Sequence, residues 1–320
     1  MTTVRQAMST FLSDLELTDK QFETACAQRD RVHDVLKRGL SVSETIFSGS
    51  FARQTAIRPL NDIDILIVLS RKAHGTLLDG GPTACLREVR RVLHAAWPNK
   101  EHPILQNRSV RVEFIGTGIG FDVVPAFRDA EDAEVYTIPD RDTGRWILSN
   151  PRAHKEHAIR ANERAGQRAK PLVKALKHWN QRFPEPPLKS FHLELMVYDL
   201  LVAPPESDAH GIASLFDGLA SRVMRHCADP AGLGPDVDGG MTDQERGRAR
   251  DLVEGASKDA RAAVIAAVDG DTETAHFLWR HILGDRYPEA GRKPEASPGR
   301  APAVAVAGRT ATDAASRRFG

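Results

Sequence analysis

The fold of this chain is decided by residues 49–69, which read GSFARQTAIRPLNDIDILIVL. The last eight residues of this stretch are apolar and largely β-branched, apart from Asp62 and Asp64. This pattern predicts a buried strand over 62–69. Because side chains alternate between the two faces of a strand, both aspartates project together and the isoleucines point the other way. The stretch therefore predicts a sheet strand with two carboxylates on one face and a core on the other.

Helix and strand patterns surround this strand in the first 150 residues. Upstream, Thr18 followed by Gln21 is a capping-box pattern, which predicts a helix running toward Arg38. A short β-prone piece follows at 45–47. Downstream, the patterns predict one helix and two strands, over 82–96, 110–115 and 121–124.

From Pro151 onward the pattern becomes helical. Pro171 lacks a backbone N–H and should kink or restart the first helix. From Arg286 the chain is rich in Ala, Pro, Gly and Arg without any period, which predicts disorder. We therefore predict an α+β fold with a mixed-sheet core and N-terminal helices (1–150), a helical domain (151–285) and a disordered tail (286–320). The helices of the second domain are predicted at 152–182, 190–202, 212–227, 242–268 and 272–283.

The bulk composition excludes several classes of protein. Of the 320 residues, 41% are hydrophobic and 27% are charged, which is typical of a globular protein. No apolar run reaches the roughly 18 residues of a membrane span, and the N-terminal MTTVRQAMSTFL lacks the apolar run of a signal peptide. The three cysteines are far apart, which argues against a disulfide framework or a zinc site and predicts a cytoplasmic location without membrane association.

A third acid, Asp122 in the apolar run GFDVVPAF, complements Asp62 and Asp64. Two carboxylates at strand spacing repel each other and raise each other's pKa unless a cation lies between them. Alone, the pair can be solvated edge acids, and Asp122 can belong to an ion pair. Together, three carboxylates are typical ligands of Mg²⁺, so we predict a site for two Mg²⁺ ions, or Mn²⁺ in their place. Asp129 is the alternative third acid, although it follows Pro125 and is expected on a loop.

Gly49 and Ser50 lie where a short strand turns into the next segment. Glycine permits close backbone approach, and exposed N–H groups with a serine hydroxyl hold phosphate oxygens well. A Gly-Ser pair is equally compatible with an ordinary turn. Arg53 and Arg58 are near enough in sequence to reach phosphates, although a surface position is the default for arginine.

Residues 49–69 resemble the signature of the bacterial CD-NTases, nucleotidyltransferases of the DNA polymerase β superfamily that are related to animal cyclic GMP–AMP synthase. The resemblance continues through YTIPD, GRWILSNPRAH, PLVKALKHWNQRF and LKSFHLELMVYDLL, and covers roughly residues 45–205. It implies a polymerase β-like nucleotidyltransferase core followed by a C-terminal helical domain. It also implies that Asp62, Asp64 and Asp122 are the catalytic acids that hold the metal ions.

The resemblance assigns three further residues to nucleotide binding. Lys177 matches a lysine that contacts the donor triphosphate, and Ser190 matches a serine that hydrogen-bonds a terminal phosphate. Phe191 matches an aromatic residue that stacks on a base; the family often has Tyr there, and Phe keeps the π-face without the hydroxyl. Alternatively, Lys177 is a solvated helix lysine and Ser190 is the N-cap of its helix.

The resemblance implies that the enzyme makes a cyclic di- or trinucleotide second messenger from NTPs in bacterial antiviral (CBASS) signalling. Three alternatives remain: a CCA-adding tRNA or linear oligoadenylate nucleotidyltransferase, an antibiotic nucleotidyltransferase, and an inactive nucleotide-binding scaffold. The presence of all three acids argues against the scaffold. Between Arg152 and Arg182, nine Lys or Arg accompany only two Glu. This stretch lines a nucleotide cleft or binds a nucleic-acid activator, and the lack of zinc ligands favours the cleft.

The C-terminal SRRFG suggests a separate hypothesis about Gly320. In some bacterial relatives, a ubiquitin-like conjugation enzyme joins the last residue of a flexible tail to a target. A tail without any function explains the same sequence equally well.

Overall fold

The structure is a computed structural model that describes residues 2–99, 101–114 and 116–289. Within these ranges, seven strands form a mixed sheet in the order β1-β2-β5-β4-β3, and β6 joins β5 to β7. The chain is α+β, as predicted. The strands are β1 (Val42–Phe47), β2 (Asp62–Leu69), β3 (Ile104–Leu105), β4 (Val110–Phe114), β5 (Ile119–Arg128), β6 (Tyr136–Asp140) and β7 (Arg145–Ser149).

Eleven helices in the described ranges accompany the sheet. Five of them lie before β3 and six follow β7. They are α1 (Val4–Asp14), α2 (Asp19–Gly39), α3 (Gly49–Arg53), α4 (Arg71–Asp79), α5 (Gly81–Ala96), α6 (Pro151–Arg164), α7 (Ala169–Asn180), α8 (Ser190–Leu200), α9 (Asp208–Arg222), α10 (Asp243–Val268) and α11 (Thr272–Leu283). No helix in the part of the chain that the structure describes is long and apolar enough to cross a membrane.

Strand β2 spans 62–69, as its apolar pattern predicts. Ile63, Ile65 and Ile67 are fully buried in a core shared with α2 and α5, whereas Leu66 joins a separate small cluster. This alternation places the two aspartates of β2 on the face opposite the main core. An apolar run that contains two aspartates at alternate positions thus predicted both the strand and the face that carries the acids.

The pairing of β2 with β5 is parallel, and its register places Asp64 opposite Asp122. Strand β5 runs on to Arg128, past the predicted end at Val124. Proline cannot donate a ladder hydrogen bond, so it is rare inside a strand that is paired on both sides. Pro125 is tolerated because β4 pairs with β5 only as far as Val123, so this residue has a neighbouring strand on one side only.

Several elements were absent from the prediction, namely α3, α4, β3, β6 and β7. Each is short, and β6 contains Pro139, which argues against a strand in a sequence. In the fold, β6 and β7 stabilise each other as a hairpin, in which Pro139 pairs with Trp146. Tertiary pairing therefore overrides a weak local pattern.

The N-terminal helices separate into two environments. The capping box of Thr18 and Gln21 forms as predicted and begins α2, which packs on the sheet. Helix α1 was grouped with the sheet core, but its Met8 and Phe11 are buried in the same hydrophobic cluster as α7, α9 and α11. By its packing, α1 belongs to the helical half of the molecule. The division of the chain at residue 150 otherwise stays a prediction.

The helical half follows the predicted pattern closely. The break in the first helix falls after α6, and Pro171 occupies the first turn of α7, where its missing N–H costs nothing. Helix α11 matches its predicted bounds, and α9 begins at Asp208 because Ser207 caps it.

The tail was predicted to begin at Arg286, and this boundary is wrong. Tyr287 is fully buried, its ring contacts Phe11, and its hydroxyl lies 3.2 Å from His276 Nδ1. The packed chain therefore extends at least to Tyr287, because a single aromatic anchor outweighs the polar residues around it. The remaining tail and the hypothesis about Gly320 lie outside the described residues.

Candidate active site

A cleft of about 540 Å³ lies between the sheet and the helical half. It is lined by residues from α3, β2, β5, α6, α7 and α8, which are distant in sequence. The eight residues that the sequence assigned to catalysis or nucleotide binding all line this one cleft. They are Gly49, Ser50, Asp62, Asp64, Asp122, Lys177, Ser190 and Phe191.

The three acids meet on one face of the sheet. Asp62 is exposed, while Asp64 and Asp122 are half-buried neighbours on adjacent parallel strands. Burial raises the pKa of Asp64. Burial and the negative charge of Asp64 together raise the pKa of Asp122 to about 6. The two buried carboxylates therefore need a cation to hold both negative charges at neutral pH.

One carboxylate oxygen of this acid cluster is a specific indication of a metal site. The Oδ1 atom of Asp122 is buried and has no hydrogen-bond partner among the described residues. A buried carboxylate oxygen without a partner is costly, unless a ligand such as a metal ion satisfies it. The three carboxylates together form a hard-oxygen donor set of the kind that divalent cations prefer. The residues present therefore fit a metal ion.

Gly49 has a tighter role than the sequence suggested. Its φ is +58°, and a Cβ atom built on it would lie 1.7 Å from Oδ2 of Asp64. The preceding Ser48 donates its backbone N–H to the Asp64 carbonyl at 2.8 Å. The glycine is thus required because the backbone of α3 lies directly against the Asp64 carboxylate. Ser50 follows on the same cleft wall.

Arg111 on β4 is a member of the site that sequence reasoning missed. Its guanidinium lies 2.5 Å from Asp62, 3.7 Å from Asp122 and 2.9 Å from Glu113. A Cβ at Gly120 would lie 2.7 Å from Arg111 Nη2, so this glycine leaves the room that the guanidinium occupies. Arg111 neutralises part of the acid cluster. Only the register that pairs Arg111 with Asp122 reveals this, since nothing in the sequence spacing does.

Lys177 lies at the base of the cleft and is 4% exposed, so its interpretation as a solvated helix lysine is wrong. Its Nζ donates to the Thr55 carbonyl at 3.1 Å and lies 3.6 Å from Glu194. Burial lowers the pKa of Lys177, and the negative charge of Glu194 partly offsets this decrease.

Glu194, which the sequence did not single out, holds together a buried polar cluster. Arg53 pairs with it at 2.7 Å, and Thr55 and Tyr198 donate hydroxyl hydrogen bonds to it at 2.9 and 3.0 Å. Burial alone would raise the pKa of Glu194, but Arg53 and Lys177 lower it below its ordinary value. Arg53 is therefore buried rather than on the surface, because Glu194 supplies its counter-charge. Arg58, by contrast, pairs with Asp14 at the surface.

Ser190 and Phe191 begin α8 at the cleft wall. The N-cap of α8 is Lys189 and makes no side-chain capping bond, so the interpretation of Ser190 as N-cap is wrong. The Arg53 guanidinium lies over the Phe191 ring, 4.4 Å from its centroid. The ring of His154, another residue missed by the sequence, lies 5.2 Å from that of Phe191.

Asp129 does not take part in this site. It follows β5, does not line the cleft, and accepts backbone N–H bonds from Glu131 and Asp132. Those hydrogen bonds lower its pKa. Asp122 is therefore the third acid in the cleft.

A second group of potential metal ligands lies outside the cleft. Ligand atoms of His226, Asp236 and Asp238 lie within 4.8 Å of one another. Asp238 is already paired with the buried Arg246 and accepts the Cys227 N–H. Because Arg246 already compensates the charge of Asp238, this group needs a cation less than the acids of the cleft do.

The basic stretch from 152 to 182 does not form one continuous positive face. Five of its nine basic residues pair with acids, and others donate to backbone carbonyls or to a side-chain amide. Arg152 pairs with Glu134, Arg168 with Asp208, and Lys174 with Glu16. Lys177 pairs with Glu194 and also lines the cleft. This distribution favours the cleft over a nucleic-acid face.

The sheet, the adjacent acids and the helical wall define a metal-dependent nucleotidyltransferase of the polymerase β type. Residues 1–162 match the family model described as "Second Messenger Oligonucleotide or Dinucleotide Synthetase domain", and the chain belongs to this family.

Relatives and solved structures agree with this assignment. The "Cyclic AMP-AMP-AMP synthase" of an Acinetobacter species is 29% identical, over 91% of this chain and 87% of its own. The "CBASS oligonucleotide cyclase CdnC" of Escherichia coli is 25% identical, over 85% and 93%. The solved structure of E. coli CdnC with ATP superimposes with a TM-score of 0.69 at 21% identity, covering 89% of this chain and 98% of that one. At that identity the structural likeness concerns the fold.

Proposed function

We propose that this chain joins NTPs into a cyclic di- or trinucleotide second messenger that serves bacterial antiviral (CBASS) signalling. The observation that carries the proposal is the convergence of Asp64 and Asp122, on paired strands, with Lys177 and Phe191 in one cleft. Relatives that align over most of both chains are named as synthases of cyclic AMP-AMP-AMP and as a CBASS cyclase. ATP is therefore the first substrate to test.

Asp62, Asp64 and Asp122 are proposed to hold two Mg²⁺ ions, which Mn²⁺ can replace. Such ions, when bound, activate the attacking hydroxyl and neutralise charge on the leaving pyrophosphate. The unsatisfied Oδ1 of Asp122 and the raised pKa values of Asp64 and Asp122 support this assignment. The backbone at Gly49 lies directly against the Asp64 carboxylate.

The remaining residues of the cleft are proposed to hold the nucleotide. Lys177 supplies a buried positive charge for the triphosphate, and Ser190 and Ser50 supply hydroxyl groups for its oxygens. Phe191 supplies an aromatic face for the base, since stacking on an aromatic ring is worth about 1–3 kcal/mol. Gly49 has no side chain, so it allows the backbone of α3 to approach the phosphate oxygens closely.

Two alternatives predict different outcomes. A tRNA or linear oligoadenylate nucleotidyltransferase would use the same metals with another acceptor. An inactive scaffold would bind nucleotide without releasing pyrophosphate. Activation by nucleic acid is less favoured, because five of the nine basic residues between 152 and 182 are paired with acids. We also propose a cytoplasmic location, since NTPs are available there and the three cysteines are free.

The test is incubation of the purified chain with ATP, GTP, CTP and UTP, singly and mixed, in Mg²⁺ or Mn²⁺. Products are treated with phosphatase and identified by mass spectrometry, beside an Asp62→Asn/Asp64→Asn control. A phosphatase-resistant cyclic product that the control lacks supports the proposal. Linear product alone, or pyrophosphate release only when tRNA is added, identifies the first alternative. Nucleotide binding with no turnover in any mixture, with or without added DNA or RNA, favours the scaffold.

A further inference from the structure

Phe191, the proposed base-stacking residue, contacts a buried cation. The Arg53 guanidinium lies over its ring at 4.4 Å from the ring centroid, inside the roughly 6 Å range of a cation–π contact. Arg53 belongs to α3 and is only 7% exposed, so the contact is largely shielded from water. The Phe191 ring is only partly buried and lines the cleft. The cation–π contact therefore restrains a side chain that is otherwise partly open to the cleft.

Glu194 fixes the position of that cation. Its two carboxylate oxygens accept hydrogen bonds from Nε of Arg53 at 2.7 Å and from Nη2 at 3.3 Å. A two-point contact of this kind fixes the plane of the guanidinium as well as its distance. Glu194 is itself fully buried, and Thr55 and Tyr198 donate hydroxyl hydrogen bonds to it. Because Glu194 cannot turn away without losing these bonds, it holds Arg53 in one orientation.

The geometry of α8 places this acid close to the ring. Phe191 and Glu194 are three residues apart on α8, and residues at this spacing are neighbours on a helix surface. Arg53 reaches both of them from α3. One turn of α8 thus carries the ring together with the acid that holds the cation against it.

A second side chain near the ring is also paired with an acid. The ring centroid of His154 lies 5.2 Å from that of Phe191, and Nε2 of His154 lies 2.6 Å from Oδ1 of Asp229. The Asp229 side chain is 7% exposed. Of these two neighbours of the ring, Arg53 is the one whose acid lies on the helix that carries the ring.

We infer that Arg53 is a positioning residue for base binding and that Glu194 acts through it. This inference rests on the proposed function, in which Phe191 stacks on a base. A side chain that becomes ordered only when a ligand binds loses rotamer freedom at that moment, which weakens binding. Arg53 and Glu194 order the ring in the folded protein instead. Their effect should therefore reach any base, since every base has an aromatic face, and should not reach the triphosphate.

The test is equilibrium binding of two probes to the full chain with Mn²⁺. The non-hydrolysable α,β-methylene analogue of ATP carries a base, and inorganic tripolyphosphate does not. Arg53→Lys keeps the positive charge but loses the planar two-point contact, so it is expected to weaken binding of the ATP analogue by about 3- to 10-fold. Phe191→Ala is expected to weaken it by at least about fivefold, the lower end of what one base stack contributes. Both variants should bind tripolyphosphate within about twofold of wild type.

The double variant distinguishes positioning of the ring from direct contact with the nucleotide. If Arg53 acts through the ring, Arg53→Lys changes binding of the ATP analogue by less than about twofold in the Phe191→Ala background. The matched control is Arg246→Lys, since Arg246 is equally buried, pairs with the buried Asp238 and does not line the cleft. The control should lower the melting temperature to a similar degree and leave both affinities within about twofold of wild type.

Four outcomes overturn the inference. They are an unchanged affinity of Arg53→Lys for the ATP analogue, an equal loss of both probes in that variant, a full Arg53→Lys effect without the ring, and a matching loss of the ATP analogue in Arg246→Lys. Binding decides the matter without turnover. A chain that shows the coupling but makes no cyclic product from any NTP mixture refutes the proposed function and leaves the inference supported. A cyclic product from a chain without the coupling does the reverse.

Discussion

Replacing Gly49 by alanine tests whether the backbone of α3 sets the position of Asp64, one of the proposed metal ligands. The new Cβ would lie 1.7 Å from Asp64 Oδ2, 2.5 Å from its Cγ and 2.9 Å from its Cβ. Real Cβ contacts are essentially never shorter than 3.0 Å, so the carboxylate must move by more than about 1 Å. Because the whole Asp64 side chain is in the way, a simple rotation does not relieve the contact.

Two costs follow from this geometry. Alanine at φ +58° carries the strain of the left-handed region, about 1–2 kcal/mol of folding free energy. Displacing a metal-binding carboxylate by about 1 Å is expected to lower kcat by about 100-fold, because misplacement of that size in an active site has such an effect. Activity should therefore fall far more than stability does.

The matched control is Gly144→Ala in the turn between β6 and β7. Gly144 has φ +68°, but a Cβ built there meets nothing within 4 Å. It should cost the same strain energy and leave kcat within about twofold of wild type. Both variants are compared by thermal unfolding and by pyrophosphate release. If Gly49→Ala keeps more than a third of wild-type kcat, or Gly144→Ala loses as much activity, the role assigned to Gly49 is wrong.

Four further substitutions probe the cleft and the core around it. Asp64→Asn should abolish turnover yet leave stability in EDTA at or above wild type, because burial already raises the pKa of this acid and makes its charge unfavourable; marked destabilisation on denaturant unfolding would contradict this. Arg111→Ala should increase the rise in melting temperature that Mg²⁺ produces, since the acids lose their internal cation; an unchanged rise counts against it. Glu194→Gln should cost about 3–5 kcal/mol in urea unfolding by leaving two buried cations without a counter-charge, and a cost under 1 kcal/mol would show that water reaches them. Tyr287→Ala should cost a similar 3–5 kcal/mol because the ring is fully buried, and a neutral effect would restore the earlier tail boundary.

The elements that the sequence predicted well are those whose signals are local. Strand β2 and helix α11 have the predicted bounds, and the capping box at Thr18 forms as expected. A period-2 pattern, a helical period or a cap involves residues only two to four positions apart, so it is legible without knowing the fold. For the same reason Asp62 and Asp64 were assigned to one face of one strand.

The three acids of the cleft were also within reach of the sequence, but for a different reason. Asp122 stands out as a charge in an apolar strand, and the resemblance to a known family placed it beside Asp62 and Asp64. Lys177, Ser190 and Phe191 were assigned by resemblance alone, and all three line the cleft. What each does with a nucleotide stays a prediction.

Only the tertiary structure decided which charges the site residues face. Arg53 and Glu194 are 141 residues apart, His154 and Asp229 are 75 apart, and Arg111 reaches Asp62 across a strand that lies between them. Such pairs leave no spacing pattern, because they depend on strand register and on where folding places α8 beside α3 and the loop after α9 beside α6. The sequence by itself determined where the acids lie along the chain. Folding decided which residues surround these acids. The neighbours set the pKa values of the acids through desolvation and Coulomb interactions, and their packing sets the shape of the cleft.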